Sequence, residues 1–113
     1  MRTVEDSKAL YQEKTELLKA LSHPLRLQIV RGLLVGGCRN VRCMEEGTGQ
    51  SQSTISQHLM RLKAAGVVKC QRSGNEMYYE VADPGAAAVV AALFGDEAGD
   101  YSCPCAGLQS EEG

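Results

Sequence analysis

Through most of this chain apolar residues return every three or four positions, and only one stretch favours strands. Leu10, Leu17, Leu18 and Leu21 mark one face of a first helix beginning near Ser7, with Tyr11 and Lys14 beside it. Asp6 or Ser7 is its expected cap, and residues 1–6 are expected to fray. Ser22-His23-Pro24 restarts the chain, because proline suits a helix's first turn and not its interior. His23 reads there as a capping or surface residue. Leu25, Ile29, Val30 and Leu33 form the buried stripe of a second helix, which Gly36-Gly37 end. Residues 41–46 read as a short third helix and residues 47–49 as a tight turn between helices. In residues 51–66, Ile55, Leu59 and Leu62 fall at i, i+4 and i+7, so they share one face of a fourth helix. Ser51 is its cap and Gly66 closes it. Residues 67–72 and 77–81 follow as strands around a Ser73-Gly74-Asn75 turn, with Tyr78, Tyr79 and Val81 as strand formers. Asp83-Pro84 opens a last helix reaching about Phe94. Its residues 86–94 are apolar all round, so both sides should be covered, and an interface with the first helix of a second copy fits, Val90 included.

The fourth helix is the most informative element. At about 100° per residue, Ser53, Gln57, Arg61 and Ala64 lie opposite its apolar stripe. That face is polar and free of carboxylates. Gln bonds adenine edges and Arg guanine edges, so such a face suits the major groove of DNA. The plainer alternative is an ordinary amphipathic surface helix. The hairpin behind it decides between them: a helix leading straight into a hairpin is the layout of a winged helix-turn-helix, whose hairpin lies along the DNA backbone. Residues 47–75 carry four basic side chains (Arg61, Lys63, Lys69, Arg72) and no acidic one, in a chain of net charge −2. The fold expected is mostly α with a β-hairpin wing, in the order α-α-α-α-β-β-α, dimerising through its first and last helices. The DNA-contacting set is Gln52, Ser53, Thr54, Ser56, Gln57, His58, Arg61 and Lys63 on the helix, with Arg72 and Asn75 on the wing.

Two runs resemble a known family. Leu18-Lys19-Ala20-Leu21-Ser22-His23-Pro24-Leu25-Arg26-Leu27 is similar to the start of the second helix in ArsR-type repressors, the arsenical-resistance winged-helix family. Gln52-Ser53-Thr54-Ile55-Ser56-Gln57-His58-Leu59, then Leu62-Lys63 and Ala65-Gly66-Val67-Val68, resemble that family's recognition helix and first wing strand. The resemblance covers residues 8–94, and residues 52–59 are its most specific part. It implies a homodimeric bacterial transcriptional repressor that leaves its double-stranded operator when an effector binds.

Composition adds limits. At 113 residues one domain is expected, small enough for self-association to help stabilise it. No apolar run follows Met1-Arg2, so no signal peptide is expected, and the apolar stretch at 86–94 is about half the length of a membrane span. Five cysteines without a framework spacing point to a reducing, cytoplasmic setting and to thiol chemistry rather than structural disulfides. Residues 1–94 form the expected DNA-binding and dimerisation domain. Residues 95–113 hold five acidic residues and no basic one, a flexible tail by composition that carries Cys103 and Cys105.

No cofactor is required by this reading, but the thiols suggest an effector. Cys38 and Cys43 flank the start of the third helix, where a helix N-terminus with Arg39 and Arg42 nearby favours thiolate. Cys103-Pro104-Cys105 supplies a second pair. Grouped thiolates select thiophilic metals and, by extension, trivalent arsenic, so Cys38, Cys43, Cys103 and Cys105 are the candidate ligands. The alternative leaves Cys38 and Cys43 as small hydrophobes and the tail thiols incidental. Cys70 reads as a core substitute for valine. The family's Cys-Val-Cys metal pattern does not carry over, since those two cysteine positions hold Asn40 and Arg42. Residues 84–95 also lack the His and Asp pairs that bind zinc in other members. Three functions stay open: a repressor released by a soft metal or metalloid, a thiol redox or reactive-sulfur sensor, and a small-molecule-gated or constitutive module with passive cysteines. A protein-interaction module is the reading outside DNA binding. An enzyme is not expected, because no phosphate loop, carboxylate pair or nucleophile partnered by His58 is evident.

Overall fold

A computed structural model describes residues 3–36 and 39–95. Helix α1 spans Val4–Leu21 and starts a turn earlier than its apolar stripe suggests. Thr3 is the cap: its Oγ1 accepts from the Asp6 amide (3.1 Å) while the Asp6 carboxylate accepts from the Thr3 amide (3.4 Å). Asp6 is thus the third residue of a reciprocal capping box, not the cap, and residues 4–6 are helical. Helix α2, Pro24–Arg31, has Pro24 in its first turn and His23 as its cap, whose Nδ1 accepts from the Leu25 amide at 3.1 Å. It widens into a π-helical turn over Gly32–Gly36, bracketed by two glycines that hold helical geometry weakly.

Helix α3 spans Val41–Thr48. The turn expected at 47–49 is therefore displaced by two residues. Gly47 and Thr48 stay helical, and Gly49 makes the left-handed exit at φ +74°. Of the two glycines only the second sits where a side chain would be strained. Helix α4, Gln52–Ala64, is capped by Ser51, whose Oγ accepts from the Thr54 amide at 3.2 Å, and is closed by Gly66 at φ +80°. Strands β1 (Val68–Ser73) and β2 (Glu76–Val81) pair antiparallel from Val68↔Val81 to Ser73↔Glu76, leaving Gly74-Asn75 as a two-residue turn. Helix α5, Pro84–Phe94, is capped by Asp83, whose carboxylate accepts from the Ala86 amide at 2.8 Å.

One core joins all of these. Ile55, Leu59 and Leu62 of α4 are buried against Leu17, Leu21, Ile29, Met44 and Val67. Each such side chain contributes roughly 1.5–3 kcal/mol by leaving water. The wing is tied to the body by Tyr79 N–H to the Arg39 carbonyl (2.7 Å) and Ala82 N–H to the Val67 carbonyl (2.8 Å). Two expectations need correction. Leu18 points outward, 50% exposed, because Leu17, Ala20 and Leu21 take the inner face of α1. Within the protomer, helix α5 buries Ala86 and Val90 in the core and leaves Ala88, Ala91, Ala92 and Leu93 outward, on the side expected to meet a second copy. Val90, at 1% exposure, belongs to the protomer's own core and not to a surface awaiting a partner. Among the described residues no helix is long and apolar enough to cross a membrane. The tail from residue 96 onward lies outside the described residues.

Candidate nucleic-acid interface

Helix α4 buries one face and leaves the other in water. Gln52, Ser53, Gln57, Arg61 and Lys63 are exposed; Thr54 and Ser56 are half-buried on its flanks. Thr54 Oγ1 lies 3.1 Å from Ser51 Oγ, so this hydroxyl shares in the cap and is less free to reach a base than its position suggests. Ser56 and Gln52 line a cleft of about 320 Å3 with Asn40 and Arg42 of the α3 N-terminus and Asn75 of the wing turn. The fold therefore gathers residues from the helix-turn-helix and the wing around one polar cleft. Arg72 and Asn75 are exposed at the wing tip, where Arg72 Nε donates to the Gly74 carbonyl at 3.3 Å.

His58 departs from the expected set. It is half-buried on the α2 side of α4, with Nδ1 3.1 Å from Arg26 Nη1 and its ring centroid 4.5 Å from that of His23. Burial, then the charges of His23 and Arg26, hold His58 below the usual imidazole range. It is an internal contact between helices, because its place on α4 lies a quarter-turn or so from the outward face. Lys63 lies over the base of the wing, where a hydrogen bond with Cys70, then electrostatic attraction to the same side chain, raises its pKa.

Folding also changes the local charge balance. Residues 47–75 contain no carboxylate, but Glu80 of β2 lies 3.2 Å from Lys69 Nζ and 3.9 Å from Arg39. Glu16 of α1 shares a groove of about 430 Å3 with Gln57, Met60 and Arg61, and is itself 3.5 Å from Lys19. Lys69 is thereby partly neutralised, whereas Arg61, Lys63, Arg72 and the unforeseen Arg42 have no ion pair of this kind among the described residues. Met60 was also missed. It is 69% exposed beside Gln57 and offers apolar surface of the kind that meets a thymine methyl group. Its place on the outward arc of the fourth helix was legible, but an apolar residue there reads as noise against a polar face.

Of the candidate thiols, Cys38, Cys103 and Cys105 lie outside the described residues. Cys43 is placed at the third position of α3, with its amide bonded to Asn40 Oδ1 at 2.8 Å. It is buried (4% exposed) and disulfide-bonded, rather than the exposed thiolate that a helix start and two arginines suggest. Cys70 is free and half-buried, facing Tyr79 across the hairpin, so it fills valine-like space only in part. Among the described residues no group of three or more His, Cys, Asp or Glu side chains is placed to hold a metal ion.

A capped polar helix leading into a hairpin is the arrangement of a winged helix-turn-helix domain. The profile of bacterial regulatory proteins of the arsR family matches residues 23–69. An uncharacterised HTH-type transcriptional regulator of Mycobacterium tuberculosis, Rv0081, is 40% identical over 87 residues, 76% of this chain and 75% of that one. The crystal structure of the transcriptional repressor PagR of Bacillus anthracis superposes with a TM-score of 0.70 at 33% identity, covering 76% of this chain and 98% of PagR. The homodimeric winged helix-turn-helix domain of Mb0332 from Mycobacterium bovis, described as a possible ArsR-family regulator, gives 0.71 at 32% identity over 80% and 83% of the two chains. This chain belongs to the arsR family of bacterial regulatory proteins. Its fold and its relatives are those of DNA-binding regulators and not of enzymes.

Proposed function

We propose that this protein is a homodimeric repressor that reads a double-stranded operator with the outward face of α4 and is released by a change at its cysteines. The observation that carries the first part is the exposed Ser53–Gln57–Met60 face of a helix whose opposite face is fully buried, with the wing alongside. Gln52, Ser53, Ser56, Gln57 and Arg61 approach base edges, while Lys63, Arg72, Asn75 and Arg42 approach phosphates. The protein would act in the cytoplasm, where its operator lies. PagR's description as a repressor supports the sign of regulation, and the homodimeric Mycobacterium bovis domain supports the assembly. On this chain Val4, Tyr11 and Leu18, spaced by seven along α1, are 74%, 72% and 50% exposed, and Leu93 of α5 is 63% exposed. Such a stripe is what a second copy would cover.

For the effector, the Cys43 disulfide favours the redox or reactive-sulfur reading, since a thiol that forms a disulfide can switch by breaking it. The soft-ion reading assigns Cys38, Cys43, Cys103 and Cys105 as thiolate ligands and requires that disulfide to be reduced first.

Operator selection followed by gel shift against permuted sites tests the DNA reading. Gln57→Ala and Arg61→Ala should each lose about 1–3 kcal/mol of discrimination at one base position. Lys63→Ala and Arg72→Ala should weaken binding to all sites alike and lower the salt slope by roughly one each. Unchanged base preference in both of the first two variants would mean that another surface reads the DNA.

A further inference from the structure

Arg26 sits where three helices meet. Its Nε donates to the Ala20 carbonyl and one terminal nitrogen to the Lys19 carbonyl (3.5 Å), which are acceptors in the last turn of α1. Its other terminal nitrogen lies 3.1 Å from His58 Nδ1 on α4. A guanidinium has no acceptor and keeps its proton, so His58 Nδ1 must be the acceptor and its ring hydrogen must sit on Nε2. The same argument applies to His23, whose Nδ1 accepts from the Leu25 amide. Both imidazoles, 4.5 Å apart between centroids, therefore serve as acceptors for donors that cannot withdraw.

We infer that Arg26 and His58, with His23 packed on the His58 ring, are positioning residues that hold the reading helix α4 against α1 and α2 only while the His58 imidazole is neutral, so that acidification weakens operator binding. The inference rests on the operator-binding reading above. A proton on His58 Nδ1 turns that acceptor into a donor facing an N–H. The charged groups around the pair are Arg26 from α2, Arg61 from α4 beside it, and Lys19 with its partner Glu16 from α1. No carboxylate bonds either ring among the described residues, so a new positive charge meets positive neighbours. Because His58 already titrates low in the fold, the contact is intact above the ordinary imidazole pKa and is lost as pH falls through the lowered folded value.

The sign separates this from a generic charge effect. Extra protons near a DNA-binding surface ordinarily strengthen binding to phosphates. Here operator affinity of the full chain, followed by fluorescence anisotropy at constant salt, should instead fall by up to roughly tenfold per pH unit once the pH drops below the ordinary imidazole range. In His58→Gln, whose amide oxygen still accepts from Arg26 but does not titrate, the fall should flatten. His23→Asn, which keeps a cap acceptor for the Leu25 amide, should leave the fall in place. A parent profile that is flat or rises on acidification overturns the inference, as does a His58→Gln profile as steep as the parent's. Nitrogen-15 NMR of the His58 ring gives an answer that does not depend on DNA: an Nε2–H tautomer supports the cluster and an Nδ1–H tautomer refutes it. Absence of any operator binding near neutral pH, with the Nε2–H tautomer observed, would discard the proposed function and leave the cluster standing.

Discussion

Val90→Asp should leave the protein unfolded, whereas Leu93→Asp should leave a folded monomer that binds its operator poorly. The two positions are three residues apart on α5, and the difference lies in which surface each supplies. Val90 is 1% exposed inside the protomer's own core, so an aspartate there buries an unpaired carboxylate. The penalty of several kcal/mol rivals the roughly 5–15 kcal/mol that holds a small domain together. Leu93 is 63% exposed, and its aspartate stays in water until a partner helix covers it. At a dimer interface the same carboxylate becomes a desolvated charge, and dissociation relieves it. A palindromic operator needs two reading heads about one helical turn apart, so the monomer loses most of its affinity. Circular dichroism, sedimentation velocity and gel shift on both variants separate these outcomes. A Leu93→Asp protein that sediments like its parent would place the interface elsewhere, and a well-folded Val90→Asp protein would contradict the core described above.

The second large effect concerns Cys43. Operator affinity should differ between thiol-reduced and oxidised protein by about 5- to 150-fold, the usual span of a coupling free energy of 1–3 kcal/mol. Cys43 lies buried at the start of α3, and α3 packs directly against α4, so a change in its state would have a direct packing route to that helix. Cys43→Ser should bind DNA equally well with and without reductant. If Cys43→Ser keeps the parent's redox response, the switch belongs to other thiols. Titrating the reduced parent with arsenite, Cd²⁺, Pb²⁺ and Zn²⁺ examines the soft-ion reading in the same assay. In that reading the Cys103→Ser, Cys105→Ser double variant binds operator and no longer releases it with the ion. Ion-driven release that survives in the double variant removes the tail from the ligand set.

Most of the secondary structure was legible because its causes are local. Ser51, His23 and Asp83 cap the helices beginning at Gln52, Pro24 and Pro84 through bonds to amides two or three residues away. The hairpin turn follows from Gly74 at φ +62° next to Asn75. The misplaced turn after α3 has an equally local origin, since two glycines two positions apart compete for one left-handed site and composition cannot choose between them. The solvent side of α4 was read from periodicity alone, and Ser53, Gln57 and Arg61 do face outward.

What the chain by itself determined, then, was where each helix begins and which stripe of α2 and α4 is apolar, because capping and the 3.6-residue repeat act within one or two turns. Tertiary structure alone decided which apolar residues are used up inside the protomer. Val90 is covered by helices distant in sequence while Leu93 and Leu18 are not, and a helix that is apolar all round carries no mark of which side will be covered first. It also decided the electrostatics. Glu80 reaches Lys69 across the hairpin, and Arg26 reaches His58 from 32 positions away, turning an expected DNA contact into a brace between helices. Charge falls off with distance in space and takes no account of separation along the chain.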